Sequence, residues 1–313
     1  MTTATTGSTA AGRDGGSPGS ASAGGAGVGD AVAVAVTDVP STQVTATPGR
    51  RAAGRRNRGR NLLLALWLPV VLLVGWWFLS ANSTSPYFPP LQVILQSVWD
   101  EWVIGDAKTQ LWPSLRHLAL GFIGGSLLGV LGGALLWRLP VLRKGTNPIV
   151  YFLYVLPAPA LLPAMIALFG LGEARQVALI AFGATWPALL NTLDGMRGID
   201  QVKFDTARAM KFSSLRTVTA VVLPGASPQI AAGLRASLQV SIILMVVSEM
   251  IAASEGIGYF ILYAQTVFAI VTMWSGIVVL SVLGTLLNYL FVFAEHRLLG
   301  WYHGSRAVGT DKA

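Results

Sequence analysis

Runs of apolar residues, each close to the length that crosses a bilayer, constrain this sequence more than any other feature. They read as spans at 62–79, 115–137, 148–169, 176–195, 229–253 and 271–294. A helix needs about 20 predominantly apolar residues to cross a hydrocarbon core of ~30 Å. Only 12% of the 313 residues are charged and 53% are hydrophobic, where an average soluble domain carries about a quarter charged. The expected fold class is therefore all-α: a polytopic membrane protein of about six transmembrane helices. The apolar segment 257–270 is too short to cross and reads as an interfacial or re-entrant piece.

Charge then orients the chain. The net charge is +8, but the basic residues flank apolar runs and do not gather on one soluble face, which argues against nucleic acid as a partner. With the amino terminus inside, the tail, 138–147, 197–228 and the carboxyl end hold eighteen Lys or Arg, against Lys108, Arg116 and Arg175 outside. That asymmetry predicts a cytoplasmic amino terminus.

Three regions follow. Residues 1–60 are an Ala/Gly/Ser/Thr-rich tail ending in the Arg cluster "RRAAGRRNRGR", expected to be disordered and cytoplasmic. Residues 61–302 form the transmembrane domain, and 303–313 a second cytoplasmic tail. A cleaved signal peptide is disfavoured, because the run from Leu62 exceeds the 7–15 residues of a signal core and "SANST" is a poor cleavage site. In the first outer loop, "LQVILQSVWDEWV" has helical apolar spacing with Trp99 and Trp102, consistent with an interfacial helix.

Within the spans, Gly121, Gly125, Gly129 and Gly133 recur every fourth residue and form a smooth stripe. It suits close packing inside the chain, with a dimer contact as the alternative. Pro157, Pro159 and Pro163 break the run 148–169; such breaks survive where protein or a water-filled cavity covers the freed carbonyls. They read as lining a translocation path, or as a packed kink. Arg235 and Glu249 are charges inside one span, fourteen residues and roughly 21 Å apart, so they cannot pair along a straight helix. Arg235 is near enough to the inner face to snorkel. Glu249 is a functional candidate, unless outer water solvates it.

The segment 197–228 interrupts this pattern with five Lys or Arg and almost no apolar run. Asp205–Met210 reads as a short helix with its carboxylate at the start, Ser213 or Ser214 as the cap of a second one, and Pro224 as its end. No nucleophile–base pair, metal-ligand set or cofactor pattern is present there. The motif resembles the "EAA" loop of ATP-binding-cassette importer permeases. Asp205-Thr206-Ala207 matches the triplet, Lys211 the glycine, Val221 the isoleucine, and Leu223-Pro224 closes it. Lys211 is the sharp departure: if the turn needs positive φ, a non-glycine residue costs about 1 kcal/mol there. "LPAPALLPAMIALFGLGE" (156–173), "PALLNTLDGMRGID" (187–200), "LPGASPQIAAGLRASL" (223–238), "VVSEMIAASEGIGYFI" (246–261) and "EHRLLGWY" (295–302) narrow the resemblance to the nitrate, sulfonate and taurine permeases.

The resemblance implies a type I importer permease fold in a bacterial plasma membrane, with Asp205, Thr206, Ala207, Lys211, Val221, Leu223 and Pro224 forming an ATPase-coupling loop. It implies two ATPase subunits, a second permease copy and an extracytoplasmic solute-binding protein as partners, and no catalysis by this chain. A phosphate-binding G-x-x-x-x-G-K-[ST] loop is missing from the sequence. The cargo would be a small oxyanion such as a sulfonate, taurine or nitrate, or alternatively a thiamine-type pyrimidine precursor. Two other classes fit worse. An enzyme would need more than His117, His296 and His303 near span ends and a "GASP" at 225–228. An ion-coupled secondary transporter usually buries more intramembrane charges.

Overall fold

The computed structural model describes residues 67, 68 and 70–299. The expected tails at 1–60 and 303–313, and the first residues of the expected span 62–79, lie outside the described residues. Every described element is helical: α1 (Val70–Ser80), α2 (Leu91–Ser97), α3 (Leu111–Arg138), α4 (Pro140–Val155), α5 (Leu162–Phe169), α6 (Glu173–Arg197), α7 (Gln201–Ala209), α8 (Ser214–Thr217), α9 (Leu223–Met250), α10 (Ile257–Thr266) and α11 (Ile270–Leu298). Four stretches are long and apolar enough to cross a membrane: Asp106–Arg138, Glu173–Arg197, Ser214–Met250 and Ile270–Leu298. α1 is a shorter apolar helix. At ten residues, α10 is well short of a crossing.

The expected single crossing at 148–169 is instead a bent pair. α4 begins earlier, at Pro140, and meets the Ala158–Phe169 segment at 91°. The cause is local. Leu156, ahead of Pro157, is driven to an extended ψ of 124°, and Pro157 and Pro159 bring no N–H to close the next turn. Pro163 does not contribute to the break. It lies in the first turn of α5, where a missing N–H costs nothing.

The centre of the fold is α6, held between α3 and α9. Gly121, Gly125, Gly129 and Gly133 are all buried and face α6. A Cβ on Gly125 would sit 2.8 Å from the Ala181 Cα, so the stripe is used for packing within the chain. Thr185 Oγ1 donates across this seam to the Gly125 carbonyl (3.2 Å). On the other side, Ser237 Oγ donates to the Ala184 carbonyl (2.6 Å). Leu118, Ile180, Leu244 and Met245 join the three helices in one apolar cluster.

The helix expected in the first outer loop is present and docks on α11. After α2 the chain makes a wide π turn at Val98–Ile104. From it, Glu101 accepts hydrogen bonds from Thr272 Oγ1 (2.7 Å) and Ser275 Oγ (3.1 Å), and Trp102 Nε1 donates to Ser275 Oγ (3.1 Å).

Candidate functional site

Two features could carry function, and they lie at opposite ends of α9. At its start is the α7–α8 hairpin. α7 is longer than Asp205–Met210: it begins at Gln201, and its N-cap is Asp200, which accepts from the Val202 N–H at 2.9 Å. Asp205 thus lies in the second turn, where it pairs with Arg208 (2.9 Å). The dipole role expected of Asp205 belongs to Asp200.

α7 ends in a closed αL turn. Lys211 has φ of 55°, its N–H bonds the Arg208 carbonyl (2.9 Å), and the Phe212 N–H bonds the Ala207 carbonyl (3.0 Å). This is a Schellman motif, the arrangement for which glycine is favoured. Lys211 therefore occupies the positive-φ position that the motif glycine would fill. Phe212 lies under the Arg216 guanidinium, 4.4 Å from its ring centroid.

Ser213 caps α8 through the Arg216 N–H (3.3 Å). Pro224 does not end that helix. α8 runs through a π turn at Val218–Val222, where the Leu223 N–H bonds the Val218 carbonyl, and on into α9. Pro224 falls in the first turn after this widened stretch, where its missing N–H is tolerated. The result is one helical rod from Ser214 to Met250, roughly 55 Å long at 1.5 Å per residue.

Four of the residues expected to form the coupling loop, Thr206, Ala207, Val221 and Pro224, meet around one groove of about 350 Å³, which Lys203 and Met210 also line. Asp205, Lys211 and Leu223 do not line it. Leu223 and Pro224 border a separate apolar groove between α9 and α11. Val202, Met210 and Leu215 are 65%, 62% and 75% exposed on the hairpin.

At the other end of α9, Glu249 is completely buried. Ser114 Oγ and the Gly258 N–H donate to its Oε2 (2.8 and 3.0 Å), and His117 Nδ1 is 3.4 Å from Oε1. Ser114 Oγ also accepts the Ile257 N–H (2.8 Å), while Gln110 Oε1 takes that of Gly256 (2.8 Å). Three successive N–H groups at the start of α10 are thus all caught by side chains. Gly256 has φ of +106°, and a Cβ there would strike the Glu249 carboxyl group. Glu249 belongs to a closed polar knot joining α3, α9 and α10. It does not face an opening.

Arg175, counted from the sequence among loop charges, is fully buried in the first turn of α6. Its Nη1 and Nη2 donate to the Ile251 and Ala252 carbonyls (2.6 and 3.2 Å), so a cation closes the C-terminal end of α9, as the helix dipole favours. Apart from Gly258, nine residues beyond Glu249, the partners of Glu249 and Arg175 are 76 to 135 residues away in sequence. Only the glycines after Glu249 hint at a tight turn there.

Along the middle, Pro157, Pro159 and Pro163 are exposed. Pro159 lines a cavity of about 210 Å³ with Tyr154, Phe182, Trp186 and Ile243. Arg235 is half-buried on α9 and makes no hydrogen bond or ion pair among the described residues.

Comparison with known proteins agrees with this architecture. Residues 125–300 match the family described as binding-protein-dependent transport system inner membrane component. The putative aliphatic sulfonates transport permease protein SsuC of Bacillus subtilis is 31% identical, over 80% of this chain and 91% of its own. The taurine transport system permease protein TauC of Escherichia coli is 30% identical, over 81% and 94%. The nitrate import permease protein NrtB of Leptolyngbya laminosa is 28% identical, over 73% and 85%. Among solved structures, an inward-facing native crystal form of the MetNI methionine ABC transporter superposes with a TM-score of 0.51 at 18% identity, over 67% of this chain and 95% of that one. A selenomethionine-soaked form gives 0.50 at 22% identity, over 60% and 92%. The fold is that of a type I importer permease, and the chain belongs to the family of binding-protein-dependent transport system inner membrane components.

Proposed function

We propose that this chain is the transmembrane permease subunit of an ATP-driven importer whose cargo is a small oxyanion such as an aliphatic sulfonate, taurine or nitrate. Two copies would pair in a bacterial plasma membrane with their amino termini cytoplasmic. Each would dock one ATPase subunit, and an extracytoplasmic binding protein would deliver the solute. The observation that carries this reading is the hairpin. Motif residues from both arms of the hairpin, Thr206 and Ala207 on one and Val221 and Pro224 on the other, converge on one groove lined by the exposed Met210, with Val202 and Leu215 exposed elsewhere on the hairpin. Exposed apolar groups in such a place are suited to a protein partner.

The rod from Ser214 to Met250 supplies the mechanical link. A helix transmits displacement along its axis, so movement of the ATPase at the groove would be delivered to the membrane-embedded half of α9. The proline break beside Ile243 would take up the resulting shift. The oxyanion follows the names of the sulfonate, taurine and nitrate relatives.

The test is uptake by Asp205→Arg and Leu223→Asp variants. Both sites are exposed, and the Asp205–Arg208 pair is a surface ion pair that adds little stability. The variants are expected to insert at normal levels and to lose ATP-driven uptake. Normal uptake by inserted Asp205→Arg protein would count against the coupling role.

A further inference from the structure

The exposed faces of the long helices are not alike. On α3 the outward residues include Leu120, Ile123, Leu127, Leu131 and Leu135, as expected of a surface against acyl chains. On α11 they include Val282, Leu286, Leu290 and Phe293. α9 differs. Its buried face runs through Gly233, Ser237, Ser241, Leu244 and Ser248. The opposite face, read at 100° per residue, presents Ala232, Arg235, Ala236, Gln239 and Ile243, whereas Gln229 turns to α6 and donates to Asn191 Oδ1 (2.9 Å). Ala232, Gln239 and Ile243 are exposed, and Arg235 and Ala236 are half-buried.

Arg235 is about 18 Å and Gln239 about 24 Å along the axis from Leu223, one turn apart. Snorkelling would let a single Arg survive in lipid. It does not account for Gln239, which is deeper, shorter and on the same stripe. Neither side chain has a hydrogen-bond partner among the described residues, and an unsatisfied polar group in hydrocarbon costs several kcal/mol. Glu249 does not neutralise Arg235, because it is committed to Ser114, His117 and Gly258. At Ile243 the stripe meets the cavity beside Pro159, so polar helix face and broken helix are continuous.

We propose that this face of α9 is the wall of an aqueous path for small oxyanions, with Arg235 as the selecting cation and Gln239 as the next hydrogen-bond donor. A guanidinium offers a planar fork of donors matched to the oxygens of a sulfonate, sulfate or nitrate. The amide one turn further on receives the anion without binding it so tightly that it stays. Small side chains at 232 and 236 keep the wall open between them. The class of cargo rests on the importer reading; the wetness and charge preference of the wall do not.

The sequence contains no cysteine, so single cysteines report on accessibility in the native background. The experiment places them at Ala232, Ala236 and Ile243, and at Leu127 on α3 as a lipid-facing reference, in full-length protein in membranes with its partner subunits. Labelling rates are compared for 2-sulfonatoethyl methanethiosulfonate and its trimethylammonium counterpart, each corrected for reaction with a free thiol. The stripe positions are expected to react and Leu127→Cys to stay unmodified. At Ala232→Cys and Ala236→Cys the anionic reagent should lead by about fivefold, the effect of one nearby charge in a wet site. Arg235→Gln should abolish that preference and Arg235→Lys should keep most of it. Stripe cysteines as inert as Leu127→Cys would overturn the proposal, since the face would then lie in lipid or against protein. So would a charge preference that survives Arg235→Gln. If labelling behaves as expected but the assembled complex moves no anion with ATP, the importer reading fails and the wall stands.

Discussion

The two ends of α9 handle polar groups in opposite ways. At the Glu249 end, the buried Glu249, Ser114 and His117 side chains, the Gln110 amide oxygen and three backbone N–H groups satisfy one another. At the hairpin end, Asp205 and Arg208 pair in the open, and Met210 and Leu215 project with no apolar cover. The closed end fixes where α9, α3 and α10 stand relative to one another. The open end has chemistry to offer to something outside the chain. One continuous helical rod, Ser214–Met250, joins them.

Substitutions sharpen this contrast in order of size. Glu249→Ala strips the knot of its acceptor and strands buried donors from Ser114 and Gly258. It is expected to cost on the order of 3 kcal/mol, read as a lowered unfolding midpoint in detergent. A midpoint equal to that of the parent would show that the knot is wet. Ser114→Ala removes one bridging hydroxyl and should cost about 1.5 kcal/mol by the same assay. At the open end, Lys211→Gly relieves a non-glycine residue at φ 55° and should raise stability by about 1 kcal/mol; destabilisation would mean that the lysine side chain has a partner that holds the turn. Asp205→Ala should move the midpoint least, by no more than about 0.5 kcal/mol, because the pair it breaks is solvent-screened.

Much of this fold is legible in the sequence, because a lipid-exposed helix must be apolar over its whole length and satisfies its own backbone. That is why α3, α6, α9 and α11 fall where the apolar runs place them. The glycine stripe is legible as a close contact, but its partner, α6, is not. Prolines announce the break after Val155 without fixing its angle. Two local inferences fail for stated reasons. Asp205 looks like a helix start because it opens the motif, whereas Asp200 five residues earlier is the cap. Pro224 looks like a stop, yet a preceding π turn lets the helix pass it. The knot is invisible in advance, since Ser114 and Glu249 are 135 residues apart and no spacing rule links them.

The central claim is that the hairpin groove is gripped by an ATPase. A photo-crosslinking residue at Met210, which lines the groove, tests it most directly in membranes where the chain is co-expressed with its ATPase subunit. An adduct with that subunit is predicted, with none from the same probe at Tyr289 on α11. Absence of the ATPase adduct at Met210, from protein that is inserted and folded, would contradict the account.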